Sequence, residues 1–140
     1  MAKFVAVAAD FSVAPQLEAS DFAAAAAQGI RTVINNRPDG EAPGQLTIAA
    51  ARAAAEAAGL QFRSVPITLP PPAGAAEAFA KAVAETPGPH LAYCRSGTRS
   101  ITLWALSRAM AGDDPDALIR EAAAAGYDLA PMRALLAAQR

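Results

Sequence analysis

The chain has 140 residues and a formal net charge of −1, which predicts one domain over residues 1–140 and gives no basis for nucleic-acid binding. Hydrophobic residues make up 54% of the sequence, yet no apolar run approaches the roughly 20 residues that span a bilayer, and the run at the start, interrupted at Asp10, is too brief for a secretory signal. A lone cysteine cannot form an internal disulfide bond, which favours the reducing cytoplasm.

In chain order, short strands alternate with helices. Alternating or β-branched segments predict strands at residues 3–9, 11–17, 31–35 and 60–67, and a last one just before Cys94. Capping residues and glycines predict helices over residues 20–27, 45–58, 75–85 and 98–110, a fifth between Asp114 and Gly126, and a sixth from Asp128 to Ala138. This order predicts an α/β fold of three layers, in which a mainly parallel sheet of four to five strands is flanked by helices.

The helix that follows Cys94 is apolar nearly all round, so we expect it to be central and buried. In the last helix we expect Leu135 and Leu136 to point inward. The aspartates at positions 113, 114 and 116 predict a helix start rather than a metal site, because no histidine accompanies them at ligand spacing.

Polar residues follow three of the predicted strands. In open α/β sheets, ligands bind beyond the carboxyl ends of the strands, so we expect these residues to converge on one site. They are Asn35, Asn36, Arg37 and Asp39 after one strand, Thr68 after the next, and Cys94 after the last.

The stretch from Cys94 to Ser100 predicts a strand, a tight loop and a helix start. Gly97 allows a sharp turn, and the unpaired amides at the start of the helix suit an anion or a thiolate. Arg99 adds an always-charged planar fork suited to an oxyanion. A lone cysteine is otherwise most often a small buried hydrophobe. The two arginines beside it favour the functional interpretation, which requires a sulfur open to water and a guanidinium that faces it.

Two kinds of enzyme carry a similar loop. Cysteine-dependent phosphatases place five residues between the cysteine and the arginine, whereas rhodanese-type sulfurtransferases use Cys-Arg-x-Gly-x-Arg, with the four residues found between Cys94 and Arg99. The segments 33–41, 43–44, 93–100 and 104–106 together resemble a bacterial family, the phosphatase-like domains found alone or fused to beta-lactamase-like persulfide dioxygenases. This resemblance covers roughly residues 4–110 and implies a dual-specificity-phosphatase-like fold, a persulfide dioxygenase as partner, and no cofactor.

The resemblance also bears on the chemistry. Phosphatases of this type carry an aspartic acid after the strand that precedes the cysteine strand, and this acid protonates the leaving oxygen. The matching segment here, residues 65–72, contains neither Asp nor Glu, and Asp39 in another loop is the nearby substitute. Sulfur transfer needs no such acid, because the displaced sulfite or thiolate leaves without a proton.

The predicted function is therefore sulfur transfer. The Cys94 thiolate takes the outer sulfur of thiosulfate or a small persulfide, and the loop amides and Arg99 hold the resulting persulfide. Arg95 attracts the anionic donor, and Ser100 donates a hydrogen bond to the Cys94 sulfur. The remaining predicted substrate-binding residues are Ser96, Gly97, Thr98, Asn36 and Arg37.

Two alternatives remain open on the sequence. In the first, a phosphatase acts on a phosphate ester: Cys94 attacks phosphorus, Arg99 holds the oxygens and Asp39 is the general acid. In the second, the loop binds an anion or a partner and performs no chemistry.

Overall fold

A computed structural model of the chain describes residues 2–139, and in this range five strands form one sheet. The strands are β1 (Val5–Ala8), β2 (Phe11–Ala14), β3 (Thr32–Asn35), β4 (Gln61–Ser64) and β5 (His90–Tyr93). The helices are α1 (Ala19–Ala27), α2 (Ile48–Ala57), α3 (Ala75–Ala84), α4 (Thr98–Met110), α5 (Pro115–Ala124) and α6 (Arg133–Ala138), with a 3-10 turn at Ala130–Met132.

The strand order across the sheet is β1-β2-β5-β3-β4, so β5 lies at the centre. β1 pairs antiparallel with β2, and the other pairings are parallel. The register aligns the last residues of four strands in one row: Ala14, Tyr93, Asn35 and Ser64. The loops that follow these four strands therefore leave the sheet at the same edge.

Side chains alternate between the two faces of the sheet, as the period of a strand requires. Leu91 and Tyr93 of β5 pack in a cluster with α1 and α2, whereas Ala92 packs in a second cluster with α3, α4, α5 and α6. The sheet is therefore covered by helices on both faces. The predicted three-layer α/β fold is confirmed.

The helix after the cysteine loop is the most buried helix of the described chain, as predicted. Eight of its 13 residues are buried. Trp104 stacks on Phe11 of β2, with the ring centroids 5.7 Å apart and the planes 8° from parallel. This helix holds its N-terminus, and with it the cysteine loop, against a rigid core.

Several predicted boundaries were wrong, each for a local physical reason. β4 ends at Ser64 rather than near residue 67, because the register with the β3 segment shifts there. The Val65 amide donates to the Asn35 carbonyl, but the Ile67 amide donates to the next carbonyl, that of Asn36. α1 begins at Ala19, and Asp21 Oδ2 accepts from the Glu18 amide at 2.8 Å just before the helix. α2 begins at Ile48, where Thr47 supplies the capping hydroxyl.

The C-terminal segment also differs from its prediction. Asp128 does not cap α6, whose N-cap is Met132; Asp128 Oδ1 instead accepts a hydrogen bond from the Ala130 amide at 3.0 Å, at the start of the 3-10 turn. Leu136 is fully buried as expected, but Leu135 is 42% exposed, so its predicted inward orientation was wrong. Consecutive residues of a helix lie about 100° apart, and this short helix has one buried side. Between residues 2 and 139, no helix has the length and apolar character to cross a bilayer.

The contrast between two leucines provides a test of the core. Leu91 lies on the central strand and is fully buried, so Leu91→Ala should lower the free energy of unfolding by about 2–5 kcal/mol. Leu135→Ala removes the same atoms from an exposed site and should change it by less than about 0.5 kcal/mol. Urea denaturation of both variants measures the difference. Equal losses would contradict this assignment of the core.

Candidate active site

Four loops meet at the carboxyl edge of the sheet. The Gln16 amide, after β2, donates to the Arg95 carbonyl at 3.2 Å, and the Asn36 amide, after β3, donates to the Tyr93 carbonyl at 2.8 Å. Arg99 Nη1 donates to the carbonyl of Ile67, after β4, at 3.0 Å. The convergence expected from the parallel topology is therefore present, and the loop from Cys94 to Arg99 lies at its centre.

The cysteine loop turns at Gly97. This residue has a φ of 95°, in the left-handed region that glycine adopts freely, and it is the N-cap of α4. Its amide donates to Cys94 Sγ at 3.1 Å. The sulfur thus lies at the N-terminus of a buried helix, where unpaired amides and the helix dipole favour a negative charge.

Tyr127, from the segment between α5 and α6, supports the outer side of this loop. Its hydroxyl donates to the Ser96 carbonyl at 2.8 Å. A Cβ at Gly97 would collide with that hydroxyl. Burial, and to a smaller extent the charge of Cys94, raise the pKa of Tyr127, so its hydroxyl remains a donor. Tyr127 was not predicted as a site residue, because nothing in the local sequence relates it to a loop 31 residues away.

Glu41 joins the two arginines of the site. Arg99 donates from Nη1 to Glu41 Oε2 at 2.9 Å and from Nη2 to Oε1 at 2.8 Å. Arg37 donates from Nε to the same Oε1 at 2.8 Å. The hydrogen bond from Arg99, followed by that from Arg37, lowers the pKa of Glu41 from 4.5 to about 2. Glu41 was not among the predicted site residues, although its spacing of four from Arg37 was a usable signal.

The sulfur itself is covered in this conformation. Cys94 is 1% exposed, so the expectation of a sulfur open to water was wrong. The Arg99 guanidinium donates to Glu41 and to the Ile67 carbonyl. The hydrogen bonds to Glu41, and to a smaller extent the charge of Cys94, raise the pKa of Arg99. That the guanidinium faces the sulfur stays a prediction. Beside the loop is an open depression of about 320 Å³, lined by Glu41, Thr68, Leu69, Arg95, Ser96, Thr98 and Arg99.

Of the six predicted substrate-binding residues, Gly97 is buried at the turn of the loop and the other five fall into two groups. Arg95, Ser96 and Thr98 are exposed and line the depression. Asn36 and Arg37 are buried beneath it: the Asn36 side-chain amide donates to the Val65 carbonyl at 3.0 Å, and Arg37 also donates to Gln16 Oε1 at 3.1 Å. In this conformation both residues support the loops rather than face the depression.

Two predicted catalytic contacts are not formed. The Ser100 hydroxyl is buried and has no hydrogen-bond partner among residues 2–139, so the expected bond to the Cys94 sulfur is missing. Asp39 is exposed, its Oδ1 accepts from the Ile48 amide at 2.8 Å, and it does not line the depression. Its carboxylate is engaged at the start of α2. Within the described range, no group of three or more ligand side chains could hold a metal ion.

Comparison with known proteins agrees with this architecture. A family described as "Beta-lactamase hydrolase-like protein, phosphatase-like domain" matches residues 3–111. The beta-lactamase hydrolase-like protein of Agrobacterium fabrum is 39% identical over 111 residues, which are 79% of this chain and 26% of the relative. The chain therefore spans about a quarter of that relative's length.

Solved structures share the fold. A protein from Neisseria meningitidis, described as a candidate phosphatase, is 36% identical with a TM-score of 0.86, and the match covers 97% of each chain. The core catalytic domain of the PP-IP phosphatase SIW14 from S. cerevisiae is 12% identical with a TM-score of 0.66, over 95% of this chain and 82% of that one. At that identity the likeness shows the fold alone. The expected phosphatase-like fold is thus confirmed, and the chain belongs to the family of phosphatase-like domains of beta-lactamase hydrolase-like proteins.

Proposed function

We propose that the domain is a cysteine-dependent phosphatase with Cys94 as its nucleophile, acting on phosphate groups whose leaving group departs without a proton. The observation that carries this proposal is the loop itself, in which the Gly97 amide donates to the Cys94 sulfur and Arg99 lines the adjoining depression. The candidate phosphatase from Neisseria meningitidis, alike over nearly the whole chain, supports it further.

The reaction would require the Cys94 sulfur, which is 1% exposed in this conformation, to become accessible through a movement of its loop. It would then take two steps. The Cys94 thiolate attacks phosphorus, an S–P bond forms, and the P–O bond to the leaving group breaks with its electron pair on oxygen. Water then attacks the phosphocysteine, phosphate is released, and the thiolate is restored. The loop amides and the Arg99 guanidinium would bind the phosphoryl oxygens, where negative charge develops.

The carboxylates near the site limit the choice of substrate. Asp39 is engaged at the start of α2, and Glu41 has a pKa of about 2, so it stays ionised at neutral pH. Residues 65–72 contain no acid. Without a proton donor, the enzyme depends on a leaving oxygen that is already stable as an anion, such as that of an aryl phosphate, an acyl phosphate or a phosphoanhydride.

The same lack of an acid favours sulfur transfer as a second candidate. The Cys94 thiolate would attack the outer sulfur of thiosulfate, an S–S bond would form on Cys94, and sulfite would leave with the electron pair of the broken S–S bond. The spacing of four residues between Cys94 and Arg99 also favours this reaction.

Intact mass spectrometry separates the two candidates. The protein is mixed briefly with an aryl phosphate or with thiosulfate and quenched in acid. A phosphoryl group on Cys94, together with released phosphate, supports the proposal. An adduct of one sulfur atom with thiosulfate, without phosphate release, supports sulfur transfer. If neither adduct forms and iodoacetamide does not label Cys94, the buried sulfur belongs to a module without chemistry.

The nucleophile and the guanidinium can be tested with a matched control. Cys94→Ser should abolish turnover of an aryl phosphate. Arg99→Lys should lower kcat/KM by about 10²-fold or more, because lysine has no planar fork. Arg108→Lys is the control, since Arg108 lies on the same helix and pairs with Asp113 through two hydrogen bonds away from the site. Equal losses in both arginine variants would contradict the role of Arg99.

The absence of a general acid predicts a result for Asp39. Asp39→Asn should leave kcat for an aryl phosphate within about twofold, whereas removal of a general acid typically costs about 10²–10⁴-fold. In addition, kcat should fall steeply as the pKa of the leaving phenol rises. Steady-state rates with a series of substituted phenyl phosphates measure both effects. A large loss in Asp39→Asn would restore this residue as the acid.

The shape of the loop predicts that alanine substitutions at two glycines lower the free energy of unfolding by different amounts. Gly97 and Gly126 have φ values of 95° and 96°, but a Cβ would meet Tyr127 at Gly97 and nothing within 4 Å at Gly126. Gly126→Ala should cost about 1–2 kcal/mol from backbone strain alone. Gly97→Ala should cost more, and the additional Tyr127→Ala substitution should recover part of the difference. Thermal unfolding measures all three variants, and equal costs at the two glycines would contradict the close contact.

A further inference from the structure

We infer that Glu41 is a positioning residue, whose carboxylate fixes the Arg99 guanidinium so that one edge of the fork remains for an oxyanion over Cys94. The inference deepens the proposed function and rests on it only in requiring that an anion binds at this loop. Glu41 would act through Arg99 and not on the substrate.

The donors of Arg99 show which edge remains. A guanidinium has five N–H donors in a rigid plane. Three of them are used, two toward Glu41 and one from Nη1 toward the Ile67 carbonyl. The other two hydrogens, one on Nε and one on Nη2, share the opposite edge. Arg99 lines the depression beside the cysteine loop together with Arg95, Ser96 and Thr98. We place the remaining edge toward this depression, where it can bind two oxygens of a tetrahedral anion.

Glu41 is itself held in place by Arg37. The Arg37 side chain is 5% exposed and donates to Glu41 Oε1 at 2.8 Å, while the Arg37 amide donates to Asn35 Oδ1 at 3.0 Å. Asn35 is the last residue of β3. Arg99 is thus connected to the central sheet through its ion pair with Glu41, the ion pair of Glu41 with Arg37, and the hydrogen bond from Arg37 to Asn35.

The negative charge of the Glu41 carboxylate does not change between pH 6 and pH 8. Because the two arginines hold the pKa of Glu41 at about 2, its carboxylate contributes fully above its ordinary value of 4.5, and that contribution is lost only as the pH falls toward 2. An effect of Glu41 on anion binding should therefore be the same at pH 6 and at pH 8.

Two other roles of Glu41 predict a different effect on anion affinity when the carboxylate is removed. If the carboxylate instead occupied the place of the substrate anion, its removal would free Arg99 and tighten anion binding. If Glu41 only stabilised the loop, its removal would change the melting temperature and leave anion affinity unchanged. The sign of the change in affinity therefore decides among the three roles.

Calorimetric titration of the full chain with sulfate tests the inference, because sulfate keeps its charge across this pH range. Glu41→Gln should weaken sulfate binding by about tenfold or more, by a similar factor at both pH values. Glu41→Asp keeps the charge but shortens the reach, so it should lose less. Asp113→Asn breaks the comparable pair with Arg108 on the same helix and should leave sulfate affinity unchanged.

Each outcome has a defined meaning. Sulfate affinity that is unchanged or tighter in Glu41→Gln overturns the inference, as does wild-type protein that binds no sulfate. If Glu41→Gln does not fold, Glu41→Asp decides on the same criterion. If the wild type binds sulfate but turns over no aryl phosphate, the proposed function fails and the titration still decides the role of Glu41.

Discussion

The site depends on one carboxylate placed between two guanidinium groups. Arg37 is buried at the end of β3, and Arg99 is largely covered at the start of α4. Charges removed from water at such places are costly unless a counter-charge and hydrogen bonds accompany them. Glu41 supplies both to each arginine at 2.8–2.9 Å. The ion pairs of Glu41 therefore join the loop after β3 to the start of α4, in addition to the backbone hydrogen bond from Asn36 to Tyr93.

The fold was predictable where the sequence pattern is local. The β-branched segment before Asn35 and the apolar segment before Cys94 both form strands, and the nearly all-apolar helix after the cysteine loop is buried. Boundaries were less predictable, because they depend on single hydrogen bonds. The Ile48 amide at the start of α2, for example, donates a hydrogen bond to Asp39 Oδ1, nine residues earlier in the chain. Propensity alone does not encode a contact of that reach.

In the candidate site, too, the local features were predictable from the sequence and the contacts between distant residues were not. Cys94, Gly97 and Arg99 lie in one continuous motif, so their relation could be predicted from their spacing. Glu41 lies 58 residues from Arg99, and Tyr127 lies 31 residues from Ser96. Their contacts exist because of the strand order and the packing of α5 against α4, which the sequence pattern did not specify. The predicted contact of Ser100 failed for a related reason, since its orientation is set by the packing of α4.

The two sides of the cysteine loop differ in how firmly they are held. On the inner side, β5 is hydrogen-bonded to a neighbour along both edges, and strands of this kind open only when the whole domain unfolds. On the outer side the hydroxyl of Tyr127 provides the support, in an exposed segment that lies beyond the matched residues 3–111. Local opening of the C-terminal turn would thus loosen the loop around Cys94 while the sheet beneath it stays intact. The geometry of the cysteine loop therefore depends on one hydroxyl from a segment outside the residues that the family model matches.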